Sequence, residues 1–249
     1  MPNAFFIDVS RCTACRGCQV ACKEWHGLPA VRTRQQGTHQ NPPDLNPFNY
    51  KVVRFNEHLH GNDRGHIVWN FFPDQCRHCE EPPCKYIADD YQEGAIVKDP
   101  VTGAVIYTEL TRKLSQEAFE EIRDSCPYNI PRRNPETGAI VKCDMCNDRV
   151  RNGLVPMCVA TCPTGTMNFG SREEMIKLAH ERLDIVKKEF PKAQLVDEDL
   201  VNVIYLITDA PEFYADNVVA DAKQMPDPLT RKEFFAKLAQ PMRALKLKV

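Results

Sequence analysis

The stretch that decides the fold is CTACRGCQVAC, residues 12–22, whose cysteines follow the spacing Cys-x2-Cys-x2-Cys-x3-Cys. Three thiolates this close together on one loop can wrap around a single iron–sulfur cluster. The fourth, Cys22, comes about one helical turn later and is expected to point towards a second cluster. Disulfide bonds require no such tight local spacing, so this stretch predicts ligands of [4Fe–4S] clusters.

The chain has twelve cysteines, and a second complete motif lies near residue 150. Residues 143–163 have the spacing Cys-x2-Cys-x11-Cys-x3-Cys-Pro. Two separated pairs of cysteines would also suit a structural zinc site. The ending Cys-x3-Cys-Pro, however, is that of bacterial ferredoxins. Pro163 fixes φ and removes a backbone donor, which helps to turn the chain away after the last ligand.

The two middle motifs are incomplete. Cys76, Cys79 and Cys84 should be followed by a cysteine at position 88, where the sequence has Ala88. Counting back from Cys126 on the same spacing gives three more positions without cysteine: Gln116, Phe119 and Ile122. In two-cluster ferredoxins the last cysteine of one motif joins the first three of its partner, so these four absences belong to one cluster. The sequence therefore predicts three complete sites and one lost site.

Cross-ligation assigns the twelve cysteines to three [4Fe–4S] clusters. The first is predicted to be held by Cys12, Cys15, Cys18 and Cys162. The second is predicted to be held by Cys22, Cys143, Cys146 and Cys158. The third is predicted to be held by Cys76, Cys79, Cys84 and Cys126. Residues 114–123 are expected to form a short helix capped by Ser115, with three apolar side chains filling the lost fourth site: Ala118, Phe119 and Ile122.

The pairing of motifs also predicts the topology, an α+β fold of two bacterial-ferredoxin-like modules, one inserted in the other. Residues 1–70 with 140–185 would form a module carrying two clusters. Residues 71–139 would form the inserted module with one cluster, its second site lost. Residues 186–249 are expected to be a C-terminal extension.

Local signals predict several further elements. A helix begins at the capping box Ser171-x-x-Glu174 and ends before Pro191. A strand is predicted over residues 201–207, and a short helix begins at Thr230. Residues 27–66 are expected to be a long loop, either facing a partner or forming a solvated insertion.

Composition excludes other classes of protein. A net charge of −2 and a pI near 6.4 argue against nucleic-acid binding. No membrane span is expected, because the longest apolar run, residues 200–207, is far short of the roughly 20 residues required. No signal peptide is predicted, so the sequence alone indicates a cytoplasmic location. Neither a phosphate-binding glycine loop nor a Ser/His/Asp grouping is found, so no catalytic centre is expected.

Six basic residues lie beside the predicted ligands. They either offset cluster charge and raise reduction potentials or are ordinary solvated charges: Arg16, Lys23, Arg77, Lys85, Lys142 and Arg149. His78 is predicted not to be a ligand, because four cysteines are already available to its cluster. Trp25 either packs over a cluster or has a core or interface role.

The chain resembles the iron–sulfur (β) subunits of the molybdopterin oxidoreductases over roughly residues 5–185. The matching stretches are CTACRGCQVACKEW, NPPDLNPFNYKVVRF, CPYNIPRRNP, KCDMCNDRV and CVATCPTGTMNFGS. Most such subunits have four clusters. The loss of one site resembles the three-cluster small subunit of soluble tungsten or molybdenum formate dehydrogenases from sulfate-reducing bacteria.

This resemblance implies a heterodimer with a large catalytic subunit, which holds a W/Mo-bis-pterin and oxidises formate or reduces CO2. The chain would then relay electrons to an external acceptor such as a cytochrome c, and its C-terminal extension would pack on the catalytic subunit. Membrane-bound relatives carry a C-terminal anchor helix that this sequence lacks. The resemblance also implies a periplasmic location, reached by export with a partner that bears a twin-arginine signal.

Three alternatives remain open at this stage. The catalytic partner could instead reduce sulfur, nitrogen or sulfoxide compounds. The chain could be a zinc-structured binding module, which the group at residues 143–162 supports best. It could also be a disulfide-stabilised extracellular protein.

Overall fold

The computed structural model describes residues 2–59 and 67–220 of the chain. The strands in this part are β1 (Asn3–Asp8), β2 (Val52–Leu59), β3 (Ile67–Asp74), β4 (Ile96–Lys98), β5 (Val105–Tyr107), β6 (Arg132–Arg133), β7 (Ile140–Val141), β8 (Met167–Ser171), β9 (Gln194–Val196) and β10 (Val203–Ile207). The α-helices are α1 (Gly17–Trp25), α2 (Pro83–Tyr91), α3 (Gln116–Asp124), α4 (Asn147–Arg151), α5 (Met157–Ala160) and α6 (Arg172–Val186).

A four-stranded sheet with the order β8-β1-β10-β9 forms the centre of the described structure. β1 pairs in parallel with β10, placing Phe5 opposite Val203, and antiparallel with β8, placing Phe5 opposite Phe169. Both central strands are continuous apolar runs because both of their faces are buried. Alternate residues of β1 and β10 therefore serve two different hydrophobic cores.

One core lies between the sheet and α6. Phe6 and Leu206 face this helix and pack with Met175 and Ala179. The predicted capping box is present, because the Ser171 side chain accepts the N–H of residue 174 and the Glu174 side chain accepts the N–H of residue 171. The sequence prediction of a helix from this point is confirmed.

The opposite face of the sheet supports the cysteine-bearing loops. Phe5 and Tyr205 on this face pack with Phe72 of β3, and the rings of Phe72 and Tyr205 are stacked with centroids 4.3 Å apart. Two of the cysteines, Cys18 and Cys158, belong to the same hydrophobic core. The sheet therefore packs directly against the segments that carry these cysteines.

The predicted strand over residues 201–207 is confirmed, but β10 begins at Val203. The two preceding residues pair elsewhere. Val201 bridges Cys79, and the N–H of Asn202 donates to the carbonyl of Arg77 at 3.1 Å. This pairing fastens the segment before β10 to the loop after β3. The helix predicted at Thr230 lies outside the described residues.

The prediction of a long loop over residues 27–66 is wrong for its last part. β2 lies there and pairs antiparallel with β3 along its whole length, from Val52 opposite Asp74. Gln19 of α1 holds the start of this hairpin in place. Its side-chain amide donates to the carbonyl of Asn41 at 2.7 Å and accepts the N–H of Val53 at 3.1 Å. The strand pair was missed because the segment between its strands, residues 60–66, is longer than the two-residue loop that marks a tight hairpin in sequence.

Candidate metal centres

The first cysteine set (Cys12, Cys15, Cys18 and Cys162) lines a space of about 300 Å³. Three of its members come from the loop before α1 and from the first turn of that helix, and the fourth follows α5. Cys15 is exposed whereas Cys18 is buried, so this set lies at the surface of the described structure. Ala14 and Arg16 have φ angles of 54° and 61°, and this left-handed backbone bends the loop around the set.

The second cysteine set (Cys22, Cys143, Cys146 and Cys158) lies in the interior, and all four residues are buried. α1 and α5 pack against each other and supply one cysteine each, while the loop after β7 supplies the other two. Burial raises the pKa of Cys158 to about 12, with a contribution from the neighbouring Cys22 thiol. The sequence-predicted members of this set therefore do come together in space.

The third cysteine set (Cys76, Cys79, Cys84 and Cys126) surrounds a space of about 330 Å³. Two of its members follow β3, one lies in the first turn of α2, and the last follows α3. Burial raises the pKa of Cys84 to about 11 and that of Cys126 to about 12. Tyr107, Tyr128 and Lys142 form part of the wall around these thiols.

The chemistry of these sets suits a cluster ligated by four cysteines. All twelve thiols are free of disulfide bonds. Burial keeps most of them protonated until a cation displaces the proton, as metal binding does. Cys162 differs, because the backbone N–H groups of Met167 and Thr164 outweigh its burial and lower its pKa. Iron–sulfur clusters and structural zinc both use four-thiolate sites, and both therefore fit this donor set.

Three of the four positions without cysteine lie in one hydrophobic core between α2 and α3. Ala88, Phe119 and Ile122 are buried there beside Cys84. Gln116 instead lies at the exposed start of α3. The predicted helix is confirmed, and the Ser115 hydroxyl caps it by accepting the N–H of Ala118 at 3.1 Å.

The second set lies between the other two. Besides burial, the nearby Cys18 thiol of the first set raises the pKa of Cys158. On the other side, the Cys76 thiol of the third set raises the pKa of Cys143, again in addition to burial. The thiols of the second set therefore neighbour those of both other sets, an arrangement called the row of sets below.

Lys51 is a buried cation at this row that the sequence analysis missed. The residue is only 2% exposed, and its amine donates to the Gln75 side chain and, at 3.4 Å, to the carbonyl of Pro73. Burial lowers the pKa of this amine, but the Cys158 and Cys18 thiols outweigh burial and raise it. Lys51 is far along the sequence from every cysteine, so no motif indicated that it lies beside the cysteine sets.

The six basic residues noted in the sequence differ in their surroundings. Lys142 is buried, donates to the carbonyls of Val105 and Cys143, and lies 4.6 Å from the centre of the Tyr107 ring. Arg77 is also buried, but Asp74 pairs with it at 2.8 Å. The other four are not fully buried and contact carbonyl groups, an acidic side chain or a ring: Arg16, Lys23, Lys85 and Arg149.

His78 forms hydrogen bonds in the loop after β3, which carries Cys76 and Cys79. Its Nδ1 accepts the N–H of Val105 at 3.0 Å, and its own backbone N–H lies 3.4 Å from the sulfur of Cys76. Trp25 is 42% exposed and donates from Nε1 to Asp148 at 3.1 Å. Asp148 and Arg149 of α4 therefore hold the Trp25 ring at the surface of the described structure.

His26 is a further neighbour of the second set that sequence spacing did not reveal. Its Nε2 lies 2.9 Å from Asp144, and its Nδ1 lies 2.8 Å from the carbonyl of Cys22. His26, Asp144 and Cys146 are close enough together to hold a metal ion. Because Cys146 belongs to the second set, this group is part of the surroundings of that set. His26 and Asp144 are 118 residues apart, which hid the pair.

Among the residues that the structure describes, no helix combines the length and the apolar character needed to cross a membrane.

The fold and the cysteine sets define the chain as a protein of mixed α and β structure with sites of four thiols for a metal centre. A family profile described as a 4Fe-4S dicluster domain matches residues 67–172. This match covers the third set and the last motif, and it supports iron–sulfur clusters over zinc.

Three of the similar proteins are named as subunits of formate dehydrogenases. The chain is 59% identical over 214 residues to the formate dehydrogenase 2 subunit beta (cytochrome c-553) of Nitratidesulfovibrio vulgaris, with 86% of this chain and 97% of the relative covered. It is 50% identical over 220 residues to the formate dehydrogenase subunit beta of Megalodesulfovibrio gigas, with 88% and 100% covered. It is 35% identical over 221 residues to the nitrate-inducible formate dehydrogenase iron–sulfur subunit of Escherichia coli, with 85% and 70% covered.

The chain therefore belongs to the family of formate dehydrogenase iron–sulfur (beta) subunits, and the predicted resemblance is confirmed. Its function is that of an electron-transfer subunit and not that of the catalytic subunit.

Proposed function

We propose that the chain binds three [4Fe–4S] clusters, one at each cysteine set, and relays electrons through them for a formate dehydrogenase. The observation that carries this proposal is the convergence of twelve thiols from distant segments into three groups of four. When bound, such clusters accept and pass on single electrons. The chain supplies the thiolates, fixes the spacing between the sites and excludes water from the second one.

The two ferredoxin-like modules are proposed with the boundaries that cross-ligation predicts. Residues 1–70 with 140–185 would carry the first and second sets, and the pairing of β1 with β8 and the packing of α1 on α5 support this unit. Residues 71–139 would be the inserted module, supported by the packing of α2 on α3.

Residues 186–249 would form the C-terminal extension. Its strands β9 and β10 join the central sheet, so this part packs on the chain itself. We propose, as the resemblance implies, that this extension also packs on the catalytic subunit.

The row of cysteine sets supports a single path for electrons. We place the second cluster between the first and the third, because its thiols neighbour those of both other sets. The basic residues around the sets, above all the buried Lys142, would offset part of the cluster charge.

The partner is proposed to be a catalytic subunit with a tungsten or molybdenum bis-pterin, joined to this chain in a heterodimer. The external acceptor is proposed to be a cytochrome c, because the similar subunit of Nitratidesulfovibrio vulgaris is named for cytochrome c-553. We further propose a periplasmic location, reached by export together with the catalytic subunit.

Metal analysis tests the proposal. Protein purified without oxygen should contain about twelve iron atoms and about twelve acid-labile sulfides per chain, from three four-iron clusters. About sixteen of each would show that a fourth site had not been lost. Zinc without acid-labile sulfide would instead support the zinc-structured module.

The redox partner is tested separately, with the complex that contains the catalytic subunit. Formate should reduce the clusters of this chain, which is seen in their electron paramagnetic resonance spectrum. A complex whose clusters are reduced by dithionite but not by formate would contradict the assignment of the catalytic partner.

A further inference from the structure

Lys51 is a buried ammonium group without a carboxylate partner among the residues that the structure describes. Its amine has three N–H donors. Two are used by neutral acceptors, the Gln75 side chain and the carbonyl of Pro73. Within the described ranges 2–59 and 67–220 the amine forms no third hydrogen bond, and the Tyr205 side chain is a further neutral neighbour.

This lack of a partner separates Lys51 from the buried arginines. Arg77 pairs with Asp74 at 2.8 Å, and Arg132 pairs with Asp44 at 2.7 Å. A charge that is taken out of water destabilises the fold strongly unless an opposite charge lies beside it. The compensating negative charge for Lys51 must therefore come from something other than a nearby carboxylate.

The surroundings of the amine identify the source of that charge. Pro73, whose carbonyl accepts a hydrogen bond from this amine, lines the space of the first set together with Cys18. The thiols that act on the amine belong to two different sets, Cys18 to the first and Cys158 and Cys143 to the second. A [4Fe–4S] core with four thiolates is an anion, and its net charge is one of the factors that set its reduction potential. A single cation between two such anions interacts with both of them at low dielectric.

We propose that Lys51 is a shared counter-charge that raises the reduction potentials of the first and second clusters. This inference rests on the proposed function, because it requires clusters at these two sets. Reduction adds a negative charge to a cluster, so a fixed positive charge nearby stabilises the reduced form. Lys51 therefore acts on the redox steps through its charge, which stabilises the reduced form of either of the two clusters.

Four variants of the assembled complex test this role. Lys51→Met removes the charge with little loss of volume. Lys51→Gln removes the charge but keeps a hydrogen-bond donor, and Lys51→Arg keeps the charge. The control is Lys177→Met, because Lys177 lies on α6 with its side chain 78% exposed and only Glu181 beside it. Iron and sulfide content is measured first, and each reduction step is then followed by electron paramagnetic resonance at controlled potentials.

In both neutral variants we expect two of the three reduction steps to become at least tenfold less favourable, which is about 59 mV for one electron. The remaining step should move much less. Lys51→Arg and Lys177→Met should keep the potentials of the unmodified complex.

Fully loaded neutral variants with unchanged potentials would overturn the proposal, as would an equal shift in all three steps. If both neutral variants lose clusters while Lys51→Arg keeps them, the requirement for charge is supported. Loss of clusters from all three Lys51 variants would instead indicate a packing role and overturn it. Absence of acid-labile sulfide from the unmodified protein would refute the proposed function itself, independently of Lys51.

Discussion

Cys79 and Cys126 show, at the scale of single residues, how the third cysteine set depends on distant segments. Cys79 lies in the loop after β3, and Cys126 follows α3. Both line the same space, so each brings to it a thiol that the other's segment does not supply. The fourth thiolate is what closes the coordination of a cubane cluster.

Replacing both residues, Cys79→Ala with Cys126→Ala, should abolish the third cluster alone. Iron and acid-labile sulfide should fall from about twelve to about eight per chain, because the other two four-iron clusters keep their ligands. The matched control is Ser125→Ala, which removes only a hydrogen bond from the Ser125 hydroxyl to the carbonyl of Ile122 at 2.8 Å. Unchanged iron in the double variant would contradict the assignment of ligands.

At the scale of secondary-structure elements, apolar side chains of α2 and α3 pack together at positions where the motif spacing would place cysteines. Ile122 is fully buried and packs with Ala88 and Ala118 beside Cys84. A cysteine at position 122 would present a thiol, whereas isoleucine presents only hydrocarbon. The stability of this unit therefore depends on apolar contacts on one side and on the third cysteine set on the other.

Ile122→Ala should lower the free energy of unfolding by about 2–5 kcal/mol, because it leaves a cavity in this core. Glu120→Ala on the exposed face of α3 should change it by no more than about 0.5 kcal/mol. Chemical denaturation, followed by circular dichroism without oxygen, measures both. An Ile122→Ala variant as stable as the control would mean that the helices do not depend on each other.

Elements with local signals were predictable from the sequence. α3 and α6 have capping serines followed by apolar residues at helical spacing, and β10 is a continuous apolar run. The pairing of β2 with β3 was not predicted, because the seven residues between the strands are more than the two-residue loop that marks a tight hairpin in sequence. Beyond the local signals, it was the spacing of the cysteines that predicted which distant segments meet.

Contacts between single side chains far apart in sequence were the part that could not be predicted. Lys51 and the pair of His26 with Asp144 lie beside cysteine sets only because the chain folds back on itself. Lys51 and His26 stand outside the cysteine motifs, so no spacing rule applies to them. Position 88 could be singled out from the sequence, because the motif that begins at Cys76 requires a cysteine where the chain has Ala88.

At the scale of the whole molecule, the central sheet and the cysteine loops contribute to stability in different ways. The sheet and α6 have hydrophobic cores of their own, with Phe6 and Ile204 fully or almost fully buried. The loops have little regular structure and are held together at the three cysteine sets. Metal binding commonly supplies much of the folding energy of such loops.

Removal of the metal should therefore loosen the loops before the sheet. Chelation of the iron without oxygen, followed by hydrogen exchange, should show lost protection for residues 76–91 and 143–162. Amides of β1 and β10 should stay protected, because their hydrogen bonds lie inside the sheet. Equal loss of protection in both regions would show that the sheet also requires the bound metal.

The first cysteine set differs from the second in its access to water, since Cys15 is exposed whereas every member of the second set is buried. Dissolved oxygen reaches the outer site without crossing protein, and oxidation of thiolates follows their exposure. Damage in air therefore begins at one end of the row. A chain that has lost only this end still holds its inner sites but no longer offers a continuous route for charge.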